Sequence, residues 1–216
     1  SLYMIGADGA ALVAAKTGSV LLAVHAGLIA RAIAGLPLEF VASGNIKAVA
    51  GPAGDAVIVV KDGESLQEAV MRAVPGTTIQ ILPGTYHETV YIDKDNVRLI
   101  GVIEEGRRAV LDGERKLNDA ILYSGNNVVV ENLTITKYKG NGIMGQAGNN
   151  FEIRNNLIVD TGVYGIFPQL GQNGVVEHNV VSGIEDAAIY VGMSDNVHVA
   201  HNDVFDSVAG IEIENS

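Results

Sequence analysis

Apolar and polar positions alternate in short runs along most of the chain, and beyond residue 95 the runs recur at a fixed interval. Asp95-Asn96-Val97-Arg98-Leu99, Asn126-Asn127-Val128-Val129-Val130, Asn149-Asn150-Phe151-Glu152-Ile153, Gln172-Asn173-Gly174-Val175-Val176 and Asp195-Asn196-Val197-His198-Val199 are five copies of one phrase. The last four copies begin 23 residues apart and the first interval is 31, one period plus an excess of eight. The polar run Glu114 to Asn118 is where that excess is expected to bulge out as a loop. A second landmark, Gly142-Ile143, Gly165-Ile166, Ala188-Ile189 and Gly210-Ile211, keeps spacings of 23, 23 and 22. Each period holds two or three strand-length runs separated by Asn, Gly and Asp, where a backbone can turn. The pattern predicts an all-β solenoid of parallel strands with coils of about 23 residues, because a single coil cannot bury its own apolar face.

Stacking at about 4.8 Å would turn equal phases into columns. Val130, Ile153, Val176 and Val199 form one inward wall, and Ile135, Ile158, Val181 and Val204 another. Between them lies the column Leu133, Asn156, Asn179, Asn202. These asparagines are expected to take left-handed backbone angles at a bend while their amides bond from coil to coil. Ahead of the coils, which are expected from residue 78 onward, Ser65 and Glu68 have capping-box spacing, and Leu66, Ala69, Val70 and Ala73 mark one apolar face. A helix over 65–74 is expected to cover the first coil. The far end, Ile213 to Ser216, breaks off within a period, so the expectation there is further chain, a partner or self-association closing an open end.

Residues 1–60 read differently. They hold 15 Ala and one Asn, Asn45, with three basic residues (Lys16, Arg31, Lys47) balancing three acidic ones (Asp8, Glu39, Asp55). Together with Gly51 to Gly54 this predicts an Ala-rich extension over 1–60 and a solenoid over 61–216. Within the extension, Leu38 to Val41 and Val57 to Val60 read as strands, and Ala10 to Ala34 has helical potential weakened by Gly18 and Gly27. The formal charge of −11 argues against nucleic acid as a partner. With no cysteine there is no disulfide, thiol nucleophile or Cys-ligated zinc. The most apolar stretch, Val20 to Ala30, is interrupted by His25 and followed by Arg31, so no membrane span is expected. The first residue is Ser1, so a targeting signal is not expected to be visible.

The segment Ser65 to Ser216 resembles the right-handed parallel β-helix proteins of the pectin-lyase-like superfamily. The resemblance rests on the phrase Ile79 to Glu88, on Asp95 to Gly101, on Val110-Leu111-Asp112-Gly113 and on the Asn-rich repeats. It implies extracellular or periplasmic work, most often on acidic polysaccharides as lyases, hydrolases, esterases or uronate epimerases. The superfamily also includes NosD-like accessory proteins, tailspikes and adhesins. The catalytic signatures of its polygalacturonases, pectate lyases, pectin methylesterases and alginate epimerases are absent, so no catalytic residue carries over.

Three constellations remain as candidates. His178 and His201 would stack on adjacent coils near Glu177 and His198, a weak transition-metal or proton-shuttle site against the ordinary reading of solvent cover. Asp160 and Asp206 share a phase two coils apart, with Glu185 and Asp186 on the coil between, and Lys137, Tyr138 and Lys139 adjoin them. Such carboxylates could hold Ca²⁺ bridging to a uronate, or act as acid and base, with Asp160, Asp186, Asp206 and Lys137 as the catalytic candidates. Glu185, Lys139 and Tyr164 would then contact substrate, against the reading of solvated turn charges. Outward Met144, Phe167 and Tyr190 form a stripe that could stack sugar rings, receive a partner chain or pack on the N-terminal segment. Arg107 and Arg108 read as loop charges. The expectation is an extracytoplasmic module that recognises or processes a carbohydrate polymer, with a non-catalytic assembly module as the alternative.

Overall fold

The computed structural model describes residues 56–216 and, of the preceding part, the strands Leu38–Phe40 and Ile46–Ala48, which pair antiparallel. Ala10 to Ala34, where helix was an open possibility, lies outside the described residues. The chain divides into the units Ser1–Ala53 and Gly54–Ser216. The second unit is a parallel β-helix. One seven-stranded sheet stacks Val57–Val60, Thr78–Ile81, Arg98–Gly101, Val129–Glu131, Glu152–Arg154, Val175–Glu177 and His198–Ala200. A second, six-stranded sheet stacks Gly84–Tyr86, Ala109–Asp112, Thr134–Thr136, Leu157–Val159, Val180–Ser182 and Asp203–Phe205. The third, also six-stranded, stacks Val90–Ile92, Ile121–Tyr123, Ile143–Gln146, Ile166–Gln169, Ala187–Gly192 and Ala209–Glu214. Val57–Val60 pairs in parallel with Thr78–Ile81, so the first sheet begins on the near side of the boundary expected at residue 60, and the helix follows its first strand. No helix among the described residues is long and apolar enough to cross a membrane.

The register is that of the repeat: Val130, Ile153, Val176 and Val199 are neighbours across the first sheet, and Ile135, Ile158, Val181 and Val204 across the second. All but Val199 and Val204 are buried, as are Ile121, Ile143, Ile166 and Ile189 of the third sheet. Each such isoleucine or valine contributes roughly 1.5–3 kcal/mol by leaving water. In the last coil Phe205, Val208 and Ile213 are 52%, 80% and 62% exposed, so the core thins out there.

At the bend between the first two sheets, two duties expected of one asparagine are divided between neighbours. Asn156 and Asn179 are buried, and the ladder runs through their amides: Asn156 Nδ2 donates to Asn179 Oδ1 at 3.1 Å and Asn179 Nδ2 to Asn202 Oδ1 at 3.0 Å. The left-handed angles belong instead to the preceding column, with φ of 63° at Asn132, 54° at Asn155, 56° at His178 and 55° at His201. A bend that turns its ladder residue inward must reverse the chain one position earlier, where the side chain faces solvent. Asn and His tolerate that angle far better than branched residues do. His178→Asn should therefore leave the unfolding midpoint nearly unchanged, whereas His178→Val should cost about 1–3 kcal/mol in urea denaturation.

The excess of the first interval is not where it was expected. Leu99 to Leu111 spans twelve positions, against five from Val130 to Ile135 on the next coil, so most of the extra chain lies between Gly101 and Ala109. Glu104 and Arg107 pair there as an antiparallel bridge closing a turn. Polarity misplaced the loop: only two extra residues fall in this region, between Asp112 and Arg115, Ile121 lying ten positions after Leu111 where Ile143 lies eight after Ile135. Arg107 is an exposed loop charge beside Glu105, but Arg108 has a structural task, donating to the Asn155 carbonyl at 2.7 Å.

The helix Leu66–Arg72 lies within the expected span and buries Leu66, Ala69 and Val70. Ser65 accepts from the Glu68 amide, and the Glu88 carboxylate accepts from the amides of Leu66 and Gln67. At the other end the Lys94 ammonium donates to the carbonyls of Val70, Met71 and Ala73. An anion at the N-terminus and a cation at the C-terminus both oppose the helix dipole.

Candidate functional site

A second left-handed column follows the second sheet: Arg115, Lys137, Asp160, Gly183 and Asp206, with φ between 50° and 65°. Arg115 belongs to it because its amide donates to the Lys137 carbonyl, as the Lys137 amide does to Asp160 and the Asp160 amide to Ser182. Two extra residues upstream hide Arg115 from the 23-residue phase, which is why periodicity alone missed it. The side chains of this column stand on the outside of the bend and pass once from basic (Arg115, Lys137) to acidic (Asp160, Asp206) along the axis.

Two of the expected catalytic groups are engaged within the fold. Arg115 reaches over one coil to the Asp160 carboxylate at 2.5 Å, and Lys137 donates to Asp112 at 2.9 Å. Burial alone would raise the Asp112 pKa, but the hydrogen bonds from Lys137 and the Glu114 amide outweigh it and hold the carboxyl below the ordinary aspartate range. Asp160 and Asp206 do occupy equal positions two coils apart, about 10 Å in stacking distance. Arg115 thus pairs with Asp160 in this structure.

Beside this column a shallow cleft of about 250 Å³ is lined by Arg115, Tyr138, Lys139, Asp160, Gly162 and Glu185. Of the residues singled out from sequence it gathers Tyr138, Lys139, Asp160 and Glu185, and leaves out Lys137, Asp186 and Asp206. Tyr138 is buried and donates its hydroxyl to the Glu88 carbonyl at 2.7 Å, and burial pushes its pKa far up, so it is a floor rather than a reactive group. Among the described residues Lys139 and Glu185 form no ion pair. They are the unengaged charges of the cleft.

The turn that carries Asp160 and Gly162 continues to Tyr164, and Tyr164 joins the cleft to the third sheet. Its amide donates to Asn141 Oδ1, and Asn141 in turn is held by Asp119. The Tyr164 ring stacks on Tyr190 at 4.7 Å between centroids, and Phe167 meets both edge-on, at 4.8 Å from Tyr164 and 5.0 Å from Tyr190. All three rings are half-exposed. Glu212 lies opposite Tyr190 in register, and the Glu214 carboxylate accepts from the Tyr190 hydroxyl, which pushes that phenol up to about 12. Burial, then the charges of Asp186, Glu212 and Glu214, raise Tyr164 as well. The two glutamates were not singled out from sequence, although the 22-residue step from Ala188 to Gly210 already aligns Tyr190 with Glu212.

His178 and His201 stack as expected, with centroids 5.1 Å apart and planes 11° from parallel. Parallel rings do not converge on one ion, and no group of three or more His, Cys, Asp or Glu suited to a metal occurs among the described residues.

A comparison with curated proteins gives no match. Among solved structures, the alginate lyase from Paenibacillus sp. str. FPU-7 superposes with a TM-score of 0.55 at 18% identity, covering 74% of this chain and 65% of the other. The A-module of the mannuronan C-5 epimerase AlgE6 of Azotobacter vinelandii gives a TM-score of 0.51 at 14% identity, covering 89% of this chain and 58% of the other. The chain thus spans less than two thirds of either structure, and at such identity the likeness is one of fold. The family described as right handed beta helix region matches residues 102–216, more than half of the chain, which belongs to that family.

Proposed function

We propose that this β-helix is a carbohydrate-binding module that holds a polymer along its side, over the cleft at Lys139 and Glu185 and the aromatic cluster of Tyr164, Phe167 and Tyr190. The observation that carries the reading is the continuity of the two features. One turn, 160–165, supplies both an edge of the cleft and a ring of the cluster. Half-exposed aromatic faces stack on pyranose rings, and charges of both signs in a shallow cleft can orient the hydroxyls and substituents of the same chain. The reading puts the module outside the cytoplasm, where such polymers occur. An enzymatic form, as a lyase, epimerase or hydrolase, would draw its acid–base pair from Lys139 and Glu185, since Lys137 and Asp160 are already paired.

Affinity electrophoresis and calorimetry against a panel of neutral, acidic and amine-bearing polysaccharides, each with and without EDTA, test it. At least one polymer should be retained, and Phe167→Ala with Tyr190→Ala should weaken binding about tenfold or more. Lys139→Ala and Glu185→Gln should remove any turnover of a retained polymer, and loss with EDTA would place a bridging Ca²⁺ in the complex. Retention of no polymer, or retention indifferent to all four substitutions, contradicts the proposal.

A further inference from the structure

The formal charge is not spread evenly along the solenoid. Residues 141–216 contain ten acidic residues and one basic residue, Arg154. Arg154 sits on the first sheet between Glu152 and Glu177 and is bound to both, so it neutralises nothing at the aromatic cluster. Lys139, Lys137 and Arg115 all belong to earlier coils. At the cluster itself the charged neighbours among the described residues are Glu212 and Glu214, with Asp186 near Tyr164. Among the described residues, a ligand that stacks on Phe167 and Tyr190 therefore enters a field of one sign, formed by carboxylates on adjacent coils with no cation between them.

A uronate polymer brings one negative charge per sugar into that field, and like charges in close approach at a protein surface repel. A neutral sugar gains only the stacking. A sugar bearing a protonated amine gains on both counts: its apolar face lies on the rings, and its ammonium meets the carboxylates and the negative face of the aromatic π-systems. The geometry suits a repeating chain, because the coil rise of about 4.8 Å is close to the length of one pyranose unit. Successive coils present Phe167, then Tyr190, then Glu212 in one column.

Resting on the carbohydrate reading above and giving its ligand a class, we infer that the outer face of the third sheet around Tyr164, Phe167 and Tyr190 binds a polysaccharide of protonated amino sugars. The amines pair with Glu212, Glu214 and Asp186 while the rings stack.

Calorimetry with the whole chain decides it, using four hexamers as probes: glucosamine, N-acetylglucosamine, mannuronate and lysine. The glucosamine hexamer should bind, should weaken about tenfold between 50 and 500 mM NaCl, and should weaken about tenfold in Glu212→Gln/Glu214→Gln and again in Phe167→Ala. The acetylated and uronate hexamers should bind at least tenfold more weakly. Circular dichroism of each variant checks that the fold is kept, and Asp186→Asn provides a second charge change remote from the Tyr190 hydroxyl bond. Equal binding of glucosamine and its acetylated form, or tighter binding of mannuronate, overturns the amine inference while a Phe167→Ala effect on those sugars keeps the carbohydrate face. Lysine hexamer bound as tightly as glucosamine, with neither sensitive to Phe167→Ala, shows the field alone at work and overturns the sugar specificity. If no saccharide binds at all, both readings fall.

Discussion

Asn179→Ala is expected to destabilise the solenoid by about 3–5 kcal/mol, read as a fall in the urea midpoint, because it leaves several buried groups without partners at once. Its side-chain oxygen accepts from the Asn156 amide at 3.0 Å and from Asn156 Nδ2 at 3.1 Å, and its own Nδ2 donates to the Ile153 carbonyl and to Asn202. Asn179 is 1% exposed, so water cannot replace those bonds. Asn179→Asp should do comparable harm, since a carboxylate cannot donate to the Ile153 carbonyl or to Asn202 Oδ1. Asn202, half-buried at the other end of the ladder, is the internal control, and Asn202→Ala should cost only about 1 kcal/mol. A loss below about 1 kcal/mol for Asn179→Ala would mean that the ladder does not hold the bend.

Gly174→Ala should cost about 3 kcal/mol for the opposite reason, too much matter rather than too few bonds. A Cβ there would stand 1.9 Å from the Phe151 ring, with two more ring atoms within 2.4 Å. Phe151 is 1% exposed and packs against Tyr123 at 5.6 Å, so it has nowhere to swing. Phe151→Leu alone opens a small cavity and should cost about 1–2 kcal/mol. In the double variant the smaller side chain makes room for the methyl, and its total loss should fall short of the sum by about 1–2 kcal/mol. Strict additivity would show that the ring and the glycine do not meet.

The coil phase, the inward columns and the ladder were legible in the sequence because stacking forces equal positions to do equal work. Val176 cannot face the core unless Ile153 and Val199 do. The same logic shows what stayed hidden. Left-handed geometry at His178 and His201 left a trace in residue type, since both follow Asn132 and Asn155 in phase, but the trace reads equally well as solvent cover. Periodicity reports phase and is silent on charge partners. Lys137 and Asp160 stood out as reactive groups, and only coordinates reveal that Asp112 and Arg115 already occupy them. Loop polarity misled for a similar reason: Glu114 to Asn118 is polar because it is exposed, whether or not it contains extra chain. Glu88 and Lys94 were likewise beyond reach, since their link to the helix spans more than twenty residues and follows no repeat.

Nuclear Overhauser effects across coils test most directly the stacking on which the site depends. The methyl groups of Ile153, Val176 and Val199 should show contacts from each residue to the one 23 positions on, and the side-chain amides of Asn156 and Asn179 should resist exchange with deuterated solvent. Missing cross-coil contacts, together with amides that exchange at the rate of free asparagine, would contradict the fold and with it the cleft and aromatic face built on its side.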